Sequence, residues 1–230
     1  MIGNLGAPRA PISRPGMILS SSGQRFTVAD IDAKYGVFRQ GMEAISQDLY
    51  DYQAYAAAGQ TNLSFFQLPI GQGGKTLADT NMTSASSLPQ SQMFLATGIR
   101  VDFMPGNVAS ATGAIVAANA NDVKLVGESG SLTFVIGSKT YHQGAPLKVY
   151  PVGYRLDGAF ALSDTTTAAA ARVTKIDLAY FGGEPRQINP VMIPSNETFS
   201  VTLQWPAAVA VSVAGRIGVR LDGVLFRRSQ

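Results

Sequence analysis

Phe199-Ser200-Val201-Thr202-Leu203-Gln204-Trp205 alternates apolar and polar side chains without a break, and Ile217-Gly218-Val219-Arg220-Leu221-Asp222 repeats the pattern shortly afterwards. Successive side chains of a strand point to opposite faces, so each stretch reads as a strand with one buried and one solvated side. Moving outward, the same period recurs. Ile99, Val101 and Phe103 alternate with Arg100 and Asp102, and Leu132, Phe134 and Ile136 with Thr133 and Val135. Ile176, Leu178 and Tyr180 alternate with Lys175, Asp177 and Ala179. Shorter strand candidates lie at 63–68, 122–126, 147–152 and 159–162, with Gly-, Pro- and Asn-rich turns at 105–107, 127–130, 157–158, 182–185 and 194–196.

About eight or nine short strands without helical crossovers predict antiparallel sheets, hence a sandwich or barrel. The long connections 71–92 and 163–171 argue against a simple meander and favour a Greek-key jelly roll. One echo, V-G-Y-R-L-D-G-A-F at 152–160 against I-G-V-R-L-D-G-V-L-F at 217–226, places Asp-Gly after an apolar strand, a hairpin-turn chemistry, and leaves open two fused barrels. The roughly 170 residues available allow only about 85 for each, short of the about 100 of a typical sandwich. A single elaborated barrel is the preferred expectation, with a compact double barrel as the alternative.

The N-terminal quarter carries a different period. Val28, Ile31, Tyr35, Phe38, Met42, Ile45, Leu49 and Tyr52 alternate spacings of three and four, which predicts one amphipathic helix over 28–57, entered at Thr27 and stopped at Gly59. Gly36 and Gly41 weaken it by roughly 1 kcal/mol each relative to Ala, so packing must help to hold it. The predicted organisation is a flexible basic arm over 1–26, a helix over 27–59 and a jelly-roll domain over 60–230. The eight-residue stripe is the candidate assembly interface.

Composition narrows the function. The chain of 230 residues is 46% hydrophobic and only 14% charged, against about 25% in a typical globular protein. Sparse charge suits a surface covered by copies of the same chain. Zero cysteines exclude disulfides and thiolate chemistry, and a single histidine, His142 in a polar turn, excludes a histidine-rich metal site. No apolar run reaches the roughly 18 residues of a membrane span, and no signal peptide is visible at the start. Net charge is +3, with Arg9, Arg14 and Arg25 on an acid-free arm suited to nucleic acid, an anionic membrane surface or a neighbouring acidic surface. G-Q-G-G-K-T at 71–76 invites comparison with a phosphate-binding loop, but Pro69 stands where the first glycine is needed and no amphipathic helix follows.

Three segments carry a resemblance: P-V-M-I-P-S-N-E-T-F-S-V-T-L-Q-W-P at 190–206, G-R-I-G-V-R-L-D-G-V-L at 215–225 and L-P-Q-S-Q-M-F-L-A-T-G-I-R-V-D-F at 88–103. They resemble the closing strand pair and an early strand of jelly-roll major capsid proteins of tailless icosahedral bacteriophages, of the corticovirus and finnlakevirus kind. The resemblance implies a non-enzymatic coat protein of the virion that assembles as trimeric or hexamer-like capsomers. It implies contacts with other virion proteins and, through the basic arm, with genome or an internal membrane. Neither cofactor nor small-molecule substrate is expected. A virion spike or decoration protein and a carbohydrate-binding β-sandwich module are the alternatives.

Overall fold

The computed structural model describes residues 17–19, 25–36, 41–106, 117–150, 155–157, 177–179 and 185–228. The fold is mainly β and antiparallel. The elements, in chain order, are β1 (Met17–Leu19), β2 (Arg25–Thr27), α1 (Val28–Tyr35), β3 (Met42–Ser46), β4 (Leu49–Tyr55), β5 (Asn62–Phe65), β6 (Gln92–Met104), α2 (Ala117–Ser129), β7 (Ser131–Ile136) and β8 (Lys139–Pro146). They continue with β9 (Arg155–Asp157), β10 (Asp177–Ala179), β11 (Arg186–Ile193), β12 (Phe199–Gln204) and β13 (Gly215–Arg228). β1 pairs with β2 and β9 with β10 as separate two-stranded ribbons.

Two larger sheets make the body. The first runs β11-β6-β13, with β3 and β4 both on the far side of β13; the second runs β5-β12-β7-β8. Counting β4, β5, β6, β7, β8, β11, β12 and β13 as first to eighth, the first strand pairs with the eighth, the second with the seventh, the third with the sixth and the fourth with the fifth. Two further ladders, β13 with β6 and β12 with β7, fold this four-rung ribbon into two sheets.

The facing sides form one core. Phe94, Ile99, Val101, Phe103, Ile217, Val219 and Leu221 of the first sheet meet Leu63, Phe65, Leu132, Phe134, Val201 and Leu203 of the second. Both period-two patterns quoted at the outset are thus inward faces. Tyr55 joins Phe103 and Trp205 edge to face at 5.3 and 5.7 Å, closing one end of the sandwich. The Trp205 indole N–H reaches the Val126 carbonyl of α2 at 3.0 Å, which satisfies a buried donor. A smaller cluster of Ile31, Met42, Leu95, Met192 and Phe226 lies on the other side of the first sheet, where α1 covers it.

Several sequence expectations are corrected. No helix spans 28–57: the helix ends at Tyr35, where Gly36 adopts a left-handed φ of +64° that stops it, and Gly41, at φ of +67°, precedes a strand. Residues 42–55 are instead two strands, β3 and β4, lying end to end along β13. The β-domain therefore begins inside the predicted helical segment. The helical spacing arose because both faces of this strand pair carry apolar residues. Met42 faces the small cluster and Ile45 and Leu49 the main core.

Residues 122–126, expected as a strand, belong to α2, and 147–149 form a single turn of 3-10 helix. Asp222-Gly223 is no hairpin turn. It sits in mid-strand at a bulge where the β13–β6 register shifts. A side chain at Gly223 would meet the Leu95 carbonyl oxygen at 2.0 Å, so the bulge admits only glycine. The candidate strand 159–162 lies outside the described residues.

Replacing Phe134, fully buried at the centre of the second sheet, by Ala is expected to cost about 3–5 kcal/mol. Urea denaturation followed by circular dichroism measures it.

Candidate functional site

The two outer faces of the sandwich differ sharply in charge. On the first sheet, Arg220 of β13 stands directly opposite Arg100 of β6, a like-charge pair that destabilises a ladder by itself. Carboxylates offset it. Arg100 pairs with Asp222 at 3.2 Å, and the Arg220 Nε lies 3.0 Å from Asp48, an ion pair without hydrogen-bond alignment. Burial, together with the neighbouring Asp48 and Asp102, holds the Asp222 carboxyl above its ordinary pKa against the pull of Arg100 and Arg220.

Tyr52 ties this lattice together. Its neighbour on β13 is Gly218, where a Cβ would fall 2.1 Å from the Tyr52 ring. The missing side chain lets the ring lie flat across β13 and the hydroxyl donate to Asp102 of β6 at 2.9 Å. Burial, and then the Asp102 charge, push the phenol far above its usual pKa, so it remains a donor. The Arg216 guanidinium sits 5.3 Å from the ring centroid and also pairs with Asp79.

A strap of residues 75–82 guards the outer edge of β4. The Tyr52 N–H donates to the Asp79 carbonyl, the Thr80 hydroxyl to the Tyr50 carbonyl, and the Asn81 side chain bonds both Asp48 and Tyr50. Covered edges protect a sheet from indiscriminate pairing. At the base of the strap sits Asp51, an inward-facing and wholly buried carboxylate. It accepts the Phe66 N–H at 2.6 Å and pairs with the Lys75 ammonium, which also donates to the Tyr52 carbonyl at 3.0 Å. The Phe66 bond holds a bulky residue at φ of +67°, a strained conformation that ends β5. Burial raises the Asp51 pKa, opposed by the hydrogen bonds from Lys75 and Phe66. The Lys75 ammonium is thus engaged by Asp51 and the Tyr52 carbonyl.

Three strands of the second sheet, β5, β12 and β7, present the opposite character. Their outer rows are Asn62, Gln204 and Ser131, then Ser64, Thr202 and Thr133, then Ser200 and Val135. β5, β12 and β7 contain no charged residue at all.

The expected assembly stripe is not one surface. Ile31 and Tyr35 of α1 pack with Met42 against the small cluster, Ile45 and Leu49 join the main core, and Tyr52 lies on the charged face. Val28 opens α1, and Phe38 lies outside the described residues. Arg9 and Arg14 of the arm also lie outside them, while Arg25 begins β2. His142 of β8 is half-buried, and desolvation lowers its pKa, aided by Arg186. Among the described residues, no three His, Cys, Asp or Glu side chains gather as a metal site, and no helix is long and apolar enough to cross a membrane. Comparison of the chain with known protein families and with curated proteins finds no match.

Two outcomes follow from this geometry. Gly218→Ala is expected to destabilise by about 1–3 kcal/mol through overpacking against Tyr52, and most of that loss should vanish in a Tyr52→Ala background, a double-mutant cycle read by urea denaturation. The Asp79 pKa is held down by the Thr76 N–H and hydroxyl, so its stabilisation is present above the ordinary carboxylate range and lost as pH falls through the lowered value. Asp79→Ala should therefore differ from wild type at neutral pH and converge with it in acid, across denaturation curves taken at successive pH values.

Proposed function

We propose that the chain is a structural coat subunit built on a single jelly roll, assembling into a shell through the faces of its sandwich. The observation that carries the reading is the strand order. First with eighth, second with seventh, third with sixth and fourth with fifth is the pairing of one long antiparallel ribbon rolled into a two-sheet sandwich. That architecture serves viral coats, lectins and cupins alike, so topology alone supplies an analogy and not a function. The uncharged outer face of β5, β12 and β7 favours the coat reading. Burying Ser, Thr, Gln and Asn against identical neighbours desolvates no charge, and symmetry repeats each weak contact many times. The segment resemblance to capsid proteins of tailless icosahedral phages points the same way.

On this reading the subunit acts in the virion, its partners are copies of itself and other virion proteins, and no catalysis is involved. The arm bearing Arg9, Arg14 and Arg25 faces genome or an internal membrane, a role that rests on charge and sequence position. The jelly roll also accounts for the sparse overall charge, since its flanks are the surfaces a shell covers.

The test is assembly. Purified chain at micromolar concentration is expected to form large particles or defined oligomers in sedimentation velocity and negative-stain microscopy. Thr133→Arg with Thr202→Arg places two like charges side by side on the uncharged face, and should keep the circular dichroism of the wild type while lowering assembly by more than about tenfold. A folded wild-type chain that stays a single small species overturns the reading. Glycan binding by that monomer would replace it with the carbohydrate-binding alternative.

A further inference from the structure

We propose that Lys75 and Asp51 become joined by an amide bond between the lysine Nζ and the aspartate Cγ, an intramolecular cross-link made by the folded chain itself. The inference is independent of the coat-subunit reading. It starts from how this pair differs from four other ion pairs among the described residues. Arg100–Asp222, Arg216–Asp79, Arg220–Asp48 and Arg227–Glu43 all use guanidinium groups, which do not give up a proton in proteins and so offer no nucleophile. Lys75 offers an amine, and its side chain is only 11% exposed while that of Asp51 is 0% exposed.

Both reactants are held at two points. The Lys75 backbone is fixed by hydrogen bonds with Gly71 and Gln72, of 2.9 and 3.0 Å, in a loop where Gly71, Gly73 and Gly74 all take positive φ. Its Nζ contacts the Asp51 carboxylate while donating to the Tyr52 carbonyl. The Phe66 N–H grips the other carboxylate oxygen at 2.6 Å. Such fixation makes the condensation intramolecular, with the amine nitrogen already in contact with the carboxylate. Burial of the Asp51 carboxylate raises its affinity for a proton, so the proposed reaction begins with transfer of one ammonium proton to Oδ1.

The step balances without a co-reactant. After that proton transfer the Nζ lone pair attacks Cγ, forming the C–N bond, and the developing negative charge on Oδ2 is met by the Phe66 N–H. An amine proton passes to the Oδ1 hydroxyl, the C–Oδ1 bond breaks, and one water leaves with both protons. Lys75 lines an open groove of about 330 Å³ shared with Tyr52, Gln67 and Asp79, through which the water departs. The product staples the strap to β4 and closes the chain between residues 51 and 75, a constraint on the unfolded state like that of a disulfide in a protein that has none.

Intact-mass spectrometry of the full wild-type chain, purified folded and then denatured, tests this. The expected mass is lower than the sequence mass by one water, with a branched tryptic peptide containing both Lys75 and Asp51. Lys75→Arg and Asp51→Ala should each show their full sequence masses. Wild type at full mass after prolonged incubation in the folded state overturns the proposal. So does a deficit that persists in Lys75→Arg, or one that maps to Asp222-Gly223, where succinimide formation also releases water. The wild-type measurement decides without requiring any variant to fold.

Discussion

The ladder of β13 is the constraint on which the rest depends. This strand bonds along its length to β6 on one side and to β4 and β3 in turn on the other, so the chain's C-terminal segment fixes the register of the whole first sheet. A slip of one residue would send Ile217, Val219 and Leu221 out of the core and bring Arg216 and Arg220 into it. The opposing penalties of buried charge and exposed aliphatic surface make the register unambiguous. The bulge at Asp222-Gly223 then coincides with the break between β3 and β4 at residues 47–48, so β13 and its neighbours bend together.

From that register the two surfaces follow. Alternation on β13 and β6 places Arg100, Asp102, Arg216, Arg220 and Asp222 on one outer face, where Arg100 pairs with Asp222, Asp79 and Asp48 answer Arg216 and Arg220, and Tyr52 bonds Asp102. On β5, β12 and β7 of the other sheet the same alternation exposes hydroxyl and amide side chains with no charge to satisfy. One face has its charges paired within the chain, and on the other contact would desolvate no charge. This asymmetry supports proposing the second sheet as a contact surface between subunits. The strap over β4 adds a protected edge, anchored by the buried Asp51.

The alternating strands were legible because polar and apolar residues alternate along them, as in 99–103, 131–134 and 199–204. Residues 42–55 were not, because apolar residues sit on both faces of that strand pair, Met42 toward the small cluster and Ile45 and Leu49 toward the main core. Asp51 occupies an inward position where a hydrophobic residue is expected, which hid the period-two set Leu49, Asp51, Gln53 and Tyr55 behind a helical spacing. Three tyrosines in seven residues were the available β signal. In α2, Val123 and Val126 bury one side, but the surrounding apolar window is too short to separate helix from strand by period. The site was harder still. Lys75 was visible as part of a glycine-rich loop, but its partner reads in sequence as a solvated helix residue, and only the folded chain brings the two together.

Native-state hydrogen exchange tests most directly whether β13 is the central strand, on which the rolled-ribbon topology and the coat-subunit proposal both stand. Amides of Ile217, Val219, Leu221 and Leu225 are expected to exchange only through global unfolding, while those along the exposed strand β8 exchange through local opening at much lower cost. If β13 exchanges as readily as β8, it does not lie between β6 and β4, and the account of the fold is contradicted at its root.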